Sequence, residues 1–131
     1  MPKSILIVDD NDQIRRVVRG FLEGKSGLKV CGEAVDGYEA IEKAQVLKPD
    51  LIVLDLSMPR MNGFETARIL KNLLPQTPII LFTLHETSLV RWDALSAGID
   101  LVVAKDSGLS FLADSVQVLL QKRSPLAPAI S

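Results

Sequence analysis

The 131-residue chain has a single cysteine, a single histidine, no excess of charge and no run of strongly apolar residues longer than four. One cysteine, Cys31, cannot form an intramolecular disulfide, and nothing in the composition points to an oxidising compartment; a cytoplasmic location is the default expectation. A net charge of -1 lacks the basic surplus that draws proteins to nucleic acid, so DNA binding by this segment is not expected. The opening Met1-Pro2-Lys3-Ser4 leads into only Ile5-Leu6-Ile7-Val8, too short for a signal-peptide core or a bilayer span. Internal repeats and low-complexity tracts are also missing. The 131 residues fit one domain and are too few for two separate cores.

What is present is a rhythm. Ile5-Leu6-Ile7-Val8, Leu51-Ile52-Val53-Leu54, Ile79-Ile80-Leu81-Phe82 and Leu101-Val102-Val103-Ala104 are continuous apolar runs rather than alternating ones. Strands covered on both faces need apolar side chains on both, so these runs predict a buried parallel sheet. A fifth strand, Leu28 to Ala34, mixes polar and apolar residues and is expected at a sheet edge.

Between the strands the period becomes helical. Ile14, Val17, Val18, Phe21 and Leu22 form the first stripe, Ala40, Ile41, Ala44 and Leu47 the second, and Phe64, Ala67, Leu70 and Leu74 the third. Pro49, Pro75 and Pro78 mark where helices have ended. Ala94, Leu95 and Ala97 precede Gly98, suited to a left-handed cap, and Leu109, Leu112, Val116 and Leu119 form the last stripe. Five alternating strand–helix units predict an α/β fold, a (βα)5 doubly wound three-layer sandwich whose ligands sit at the carboxyl ends of the strands. The pattern stops near Gln121, giving a domain over 1–121 and a flexible tail or start of a linker over 122–131.

Asp9 and Asp10 follow the first strand, Asp55 the third, and Thr83 and Lys105 the fourth and fifth. Any one of these could simply end a strand. All five at one end of the sheet would gather three carboxylates that repel one another unless a cation intervenes. Magnesium suits such a site, because it takes one or two carboxylates and keeps positions open for phosphate oxygens. Asp55 could then attack phosphorus in line, with Lys105 and Thr83 on the remaining phosphoryl oxygens.

Ile7-Val8-Asp9-Asp10, Asp55-Leu56-Ser57-Met58-Pro59 with Met61-Asn62-Gly63, Thr83, Ala97-Gly98 and Lys105 together resemble the response-regulator receiver family, from Ser4 to about Gln121. The resemblance implies a flavodoxin-like or CheY-like sheet of order 2-1-3-4-5 and a two-component signalling function. It implies that Asp55 is the phosphoacceptor and that magnesium is held by Asp9 through water, by Asp10 and Asp55, and by the backbone carbonyl of Ser57. The donor would be a phosphohistidine on a sensor histidine kinase or phosphotransfer protein, with small acyl phosphates as substitutes. The receiver would catalyse its own modification and would not be an enzyme acting on other substrates. Phosphorylation would draw Thr83 inward and reshape the fourth helix, fifth strand and fifth helix, a switch read by a partner protein, a second copy of the chain or an output domain. Asp55 to Pro59 and Lys105-Asp106-Ser107 look most like receivers of NarL, FixJ and LuxR-type DNA-binding regulators.

Several positions depart from the family pattern. Val102 stands where the family usually has an aromatic residue of the switch, which implies a muted or rewired response, or simply better packing in a buried strand. Leu84 replaces a small residue after Thr83 and is expected to crowd the pocket mouth. His85 reads as an exposed loop residue rather than a catalytic one. Asp106 replaces the common proline, removing the usual reason for a cis peptide, and Asp106 or Ser107 is expected to cap the last helix. Trp92 could anchor a partner, but half-buried packing is the favoured reading.

Three other functions compete. Magnesium-dependent hydrolases with an aspartate nucleophile resemble one another in a second aspartate two residues on, and here that residue is Ser57. A phosphorylation-independent receiver acting as an interaction module fits Val102 and Leu84, but not the full set of five pocket residues. A flavin-binding module would need a phosphate to approach Asp9-Asp10-Asn11-Asp12, whose charge repels it.

Overall fold

The computed structural model describes residues 1–84 and 86–122, so His85 and the tail after residue 122 lie outside the described residues. The elements are β1 (Lys3–Val8), α1 (Asp12–Glu23), β2 (Leu28–Ala34), α2 (Gly37–Leu47), β3 (Leu51–Leu54), α3 (Gly63–Leu73), β4 (Ile79–Thr83), α4 (Ser88–Ser96), β5 (Leu101–Ala104), a 3₁₀ turn (Lys105–Ser107) and α5 (Leu109–Lys122). The five strands pair in parallel in the order β2-β1-β3-β4-β5. This is the doubly wound sandwich that the alternating periods predict.

The continuous apolar runs feed two cores because successive side chains on a strand point to opposite faces. Ile5, Ile7, Leu51, Val53, Ile80, Phe82 and Val103 pack with Val18 and Leu22 of α1 and Leu112 and Val116 of α5. Leu6, Val8, Ile52, Leu54, Ile79 and Leu81 pack on the other face with Ala40, Ala44, Ala67, Leu70 and Ala94. Among the described residues, no helix is long and apolar enough to cross a membrane.

β2 lies at an edge, as its mixed composition predicts, and its register slips at Cys31, so that Ile5 pairs with Val30 and Leu6 with Gly32. β5 is the other edge. Its apolar run suggested cover on both faces, but only Val103 and Ala104 are buried, while Leu101 and Val102 are half-buried.

The caps explain where the helices begin and end. The side chains of Asn11, Asp36, Asn62 and Thr87 each accept the N–H of the residue three positions on, opening α1 to α4. Asn62 and Glu65 complete a reciprocal capping box. After α4, Gly98 takes the expected left-handed conformation, φ 85°. At α5, Gly108 immediately precedes the helix, and Asp106 and Ser107 sit in the 3₁₀ turn before it, which corrects the expected cap. No cis peptide occurs among the described residues, in keeping with Asp106 after Lys105.

The Trp92 side chain is also a correction. It is 69% exposed, with Leu89 and Leu95 at 70% beside it on α4, so the half-buried reading fails. A nine-residue helix touching the sheet mainly through Ala94 has little apolar surface with which to cover an indole.

Candidate functional site

The strand order places β2 and β3 on opposite sides of β1, which opens a crevice at the carboxyl ends of β1 and β3. Backbone bonds extend the sheet just far enough to align the first site residues. Asp9 N–H donates to Ala34 O at 3.1 Å, and Asp55 N–H donates to Val8 O at 2.9 Å. The two aspartates thus leave adjacent strands side by side.

All five sequence-predicted residues, Asp9, Asp10, Asp55, Thr83 and Lys105, line one open cleft of about 480 Å³, together with Asn11, Ile14, Ser57, Leu84 and Asp106. Carboxylate oxygens of Asp9, Asp10 and Asp55 lie within 4.8 Å of one another. Asp9 and Asp55 are buried at 3% and 6% exposure, whereas Asp10 is exposed at the mouth. Lys105 Nζ reaches both buried carboxylates, 3.0 Å from Asp9 Oδ2 and 3.2 Å from Asp55 Oδ1. Thr83 ends β4 at 1% exposure, and Leu84 stands 69% exposed at the rim.

The electrostatics follow from this crowding. Burial, and then the nearby charge of Asp9, push the Asp55 carboxyl above the ordinary aspartate range, with Lys105 only partly offsetting them. The Lys105 ammonium is penalised by burial, but its bonds to Asp9 and Asp55 outweigh that and raise its pKa. One half-buried lysine, paired with two of them, thus stands against three carboxylates, an imbalance that a hard divalent cation with oxygen ligands would correct. The donor set fits such an ion.

The loop after β3 is braced from below. Gly63 N–H donates to Leu56 O at 2.8 Å, turning the chain back against Asp55. Arg60 has φ 69°, rare for a residue with a side chain, within a turn closed by Met61 N–H to Pro59 O. Its guanidinium pairs with Asp36 and lies 5.2 Å from the Tyr38 ring centroid.

Two cations escape the sequence reading, Arg60 in the loop after β3 and Arg15 beside Asp9. Arg15 directly follows Ile14 of the first helical stripe, and a charged residue in that place reads as solvent-facing; in fact it is 8% exposed. No periodicity signals this. His85, read as an exposed loop residue, lies outside the described residues. Val102 of β5 pairs with Leu81 of β4 and lines a shallow hollow of about 210 Å³ with Arg91, Ala94, Leu95, Ile99, Asp100 and Leu101.

Fold and cleft together define a doubly wound α/β domain with a cation-suited acidic pocket at its topological switch point. Residues 5–117 match the response regulator receiver domain model, and the chain belongs to that family of two-component signalling domains. It is 35% identical over 130 residues to the response regulator protein VraR of Staphylococcus aureus, covering 99% of this chain and 62% of that protein. The chain therefore spans about three-fifths of the length of the curated relatives it matches. Among solved structures, a LuxR-family two-component response regulator from an Aurantimonas species superposes with a TM-score of 0.90 at 30% identity, covering 99% of this chain and 93% of that one. The receiver domain of the putative response regulator NarL from Mycobacterium tuberculosis gives 0.86 at 27% identity, covering 92% and 97%.

Proposed function

We propose that this receiver accepts a phosphoryl group on Asp55 from a phosphohistidine of a sensor kinase or phosphotransfer protein, in the cytoplasm, with magnesium held by Asp9, Asp10, Asp55 and the Ser57 backbone carbonyl. The observation that carries the reading is the Lys105 ammonium set between Asp9 and Asp55 in the cleft that Thr83 also lines. In the reaction an Asp55 carboxylate oxygen forms a bond to phosphorus as the phosphorus–nitrogen bond of the donor breaks. The leaving imidazole keeps the electron pair and takes up a proton. Magnesium, when bound, supplies Lewis-acid neutralisation of the phosphoryl oxygens.

The chain's own groups do the rest. Lys105 exchanges its bonds to the carboxylates for one to a phosphoryl oxygen, a movement that suits a flexible point charge better than a planar guanidinium. Thr83 donates its hydroxyl to another oxygen, and its displacement couples the pocket to α4 and β5. Val102 presents no aromatic ring to the hollow beneath α4, so the response at that face is muted or differently wired. The segment 1–121 acts as the receiver unit and controls a partner or a transcriptional output domain; the likeness to LuxR-family and NarL proteins supports the latter.

The test is incubation with magnesium and an acyl phosphate, or with beryllium fluoride, beside Asp55→Asn. The parent is expected to gain one phosphoryl group by mass spectrometry and the variant none. An unmodified parent that also fails to bind beryllium fluoride would count decisively against the reading.

A further inference from the structure

Arg15 sits on α1 where an apolar or solvated residue would serve a purely structural helix, yet it is buried and its guanidinium is engaged on three sides. Nη1 donates to the backbone carbonyl of Asp9 at 2.6 Å, Nε donates to Glu33 Oε1 at 2.9 Å, and Nη2 pairs with Asp12. Glu33 is itself fixed at the end of β2, where its other oxygen accepts from Arg19 at 2.7 Å and its backbone carbonyl accepts from Lys43 at 2.5 Å. Its bonds from Arg19, the larger cause, and from Arg15 outweigh burial and hold the Glu33 carboxyl below the ordinary range.

The consequence falls on the metal-facing turn. Asp9 is held at every polar atom: its N–H by Ala34, Oδ1 by the Asn11 N–H at 2.9 Å, Oδ2 by Lys105, and its carbonyl by Arg15. The peptide joining Asp9 to Asp10 is a rigid plane, so fixing the Asp9 carbonyl also fixes the Asp10 N–H and the position of the Asp10 Cα from which its side chain leaves the backbone. Asp10 is the exposed member of the trio and depends on that plane for its aim. A rigid planar fork holds its donors in fixed directions toward the carbonyl and the two carboxylates, whereas an ammonium on a flexible stem is a point charge that imposes no such geometry.

We propose that Arg15, anchored by Glu33, is a positioning residue that aims the Asp9–Asp10 turn at the cation site. The inference rests on the magnesium reading given above. Residues that orient a ligand typically change metal affinity by about 10–100-fold when altered. The geometry therefore assigns Arg15 to affinity rather than to the phosphoryl-transfer step.

The experiment measures magnesium affinity by titration calorimetry, well below the melting temperature, for the parent, Arg15→Lys, Glu33→Gln and Arg19→Gln. Arg15→Lys is expected to weaken magnesium binding by about 10-fold or more. Phosphorylation by acyl phosphate should recover toward the parental rate once magnesium is saturating. Glu33→Gln loosens the same anchor with little change in volume and should shift affinity in the same direction by less. Arg19→Gln removes one bond to Glu33 without touching Arg15 or Asp9, so it should lower the melting temperature while shifting magnesium affinity by less than Glu33→Gln does. Parental affinity in both Arg15→Lys and Glu33→Gln would overturn the proposal, as would an equal loss in Arg19→Gln. Should Arg15→Lys fail to fold, Glu33→Gln against Arg19→Gln decides the matter. A parent that binds no magnesium removes the underlying reading, an outcome distinct from variants that match a binding parent.

Discussion

A Cβ atom added to Gly63 would stand 2.5 Å from the carbonyl oxygen of Asp55 and 2.9 Å from Leu56 Cα, both backbone atoms that cannot swing aside. The glycine that opens α3 is therefore what lets the helix close against the proposed phosphoacceptor. Gly63→Ala is expected to cost about 2–3 kcal/mol through overpacking. Urea denaturation would measure it, and a change within about 0.5 kcal/mol, as for an ordinary surface substitution, would mean the loop relaxes freely.

The raised pKa of Asp55 makes a prediction with a definite sign. A carboxyl whose folded pKa exceeds its unfolded one binds more protons in the folded state, so its contribution to stability is fully present below the unfolded pKa. That contribution is lost as pH rises from the ordinary aspartate value through the raised one. In the absence of divalent cations, Asp55→Asn should therefore melt higher than the parent at neutral pH, and the gap should close as pH falls below that window. Thermal melts across pH provide the check; a variant less stable at neutral pH would show that the Lys105–Asp55 pair outweighs the crowding.

Lys105→Met removes the ammonium that Asp9 and Asp55 share. With that competing cation gone, the carboxylates should bind magnesium more tightly, while phosphoryl transfer should slow by roughly 10²–10³-fold for want of an oxyanion donor. Calorimetry and acyl-phosphate kinetics read the two effects separately. An unchanged transfer rate would exclude Lys105 from the chemistry.

Leu84 is largely exposed at the cleft rim, so its removal should barely affect folding. Leu84→Ala is expected to stay within about 0.5 kcal/mol of the parent in stability. Both phosphorylation and hydrolysis of the product should quicken as the mouth widens. Parental rates for both would dismiss the crowding idea.

Trp92 offers a spectroscopic check on α4. As the only tryptophan, and a solvent-exposed one, it should emit at the long wavelengths of a hydrated indole and be readily quenched by acrylamide. Trp92→Ala should change stability by no more than about 0.5 kcal/mol. Blue-shifted, protected emission from the isolated domain would show that something covers this face.

Much of the molecule was legible in advance. Five strands, five helices and the gathering of Asp9, Asp10, Asp55, Thr83 and Lys105 all follow from local signals: unbroken apolar runs, stripes at helical spacing, and chemical residues at the same end of each run. Such signals are carried by neighbours along the chain, so one sequence suffices to display them. The common end of a parallel sheet then brings the five together without further information.

Tertiary structure alone decided the rest. Val17 belongs to the apolar stripe of α1 yet is 53% exposed, while the charged Arg15 two positions before it is buried, because the sheet and α5 cover only part of that stripe and Glu33, eighteen positions away on β2, compensates the guanidinium. Leu101 and Val102 read as fully covered but lie on an edge strand, and Trp92 stands with Leu89 and Leu95 on an exposed face of α4. Periodicity fixes which residues share a face of an element; how far another element covers that face, and which distant charge lies against it, depends on packing between segments remote in the chain.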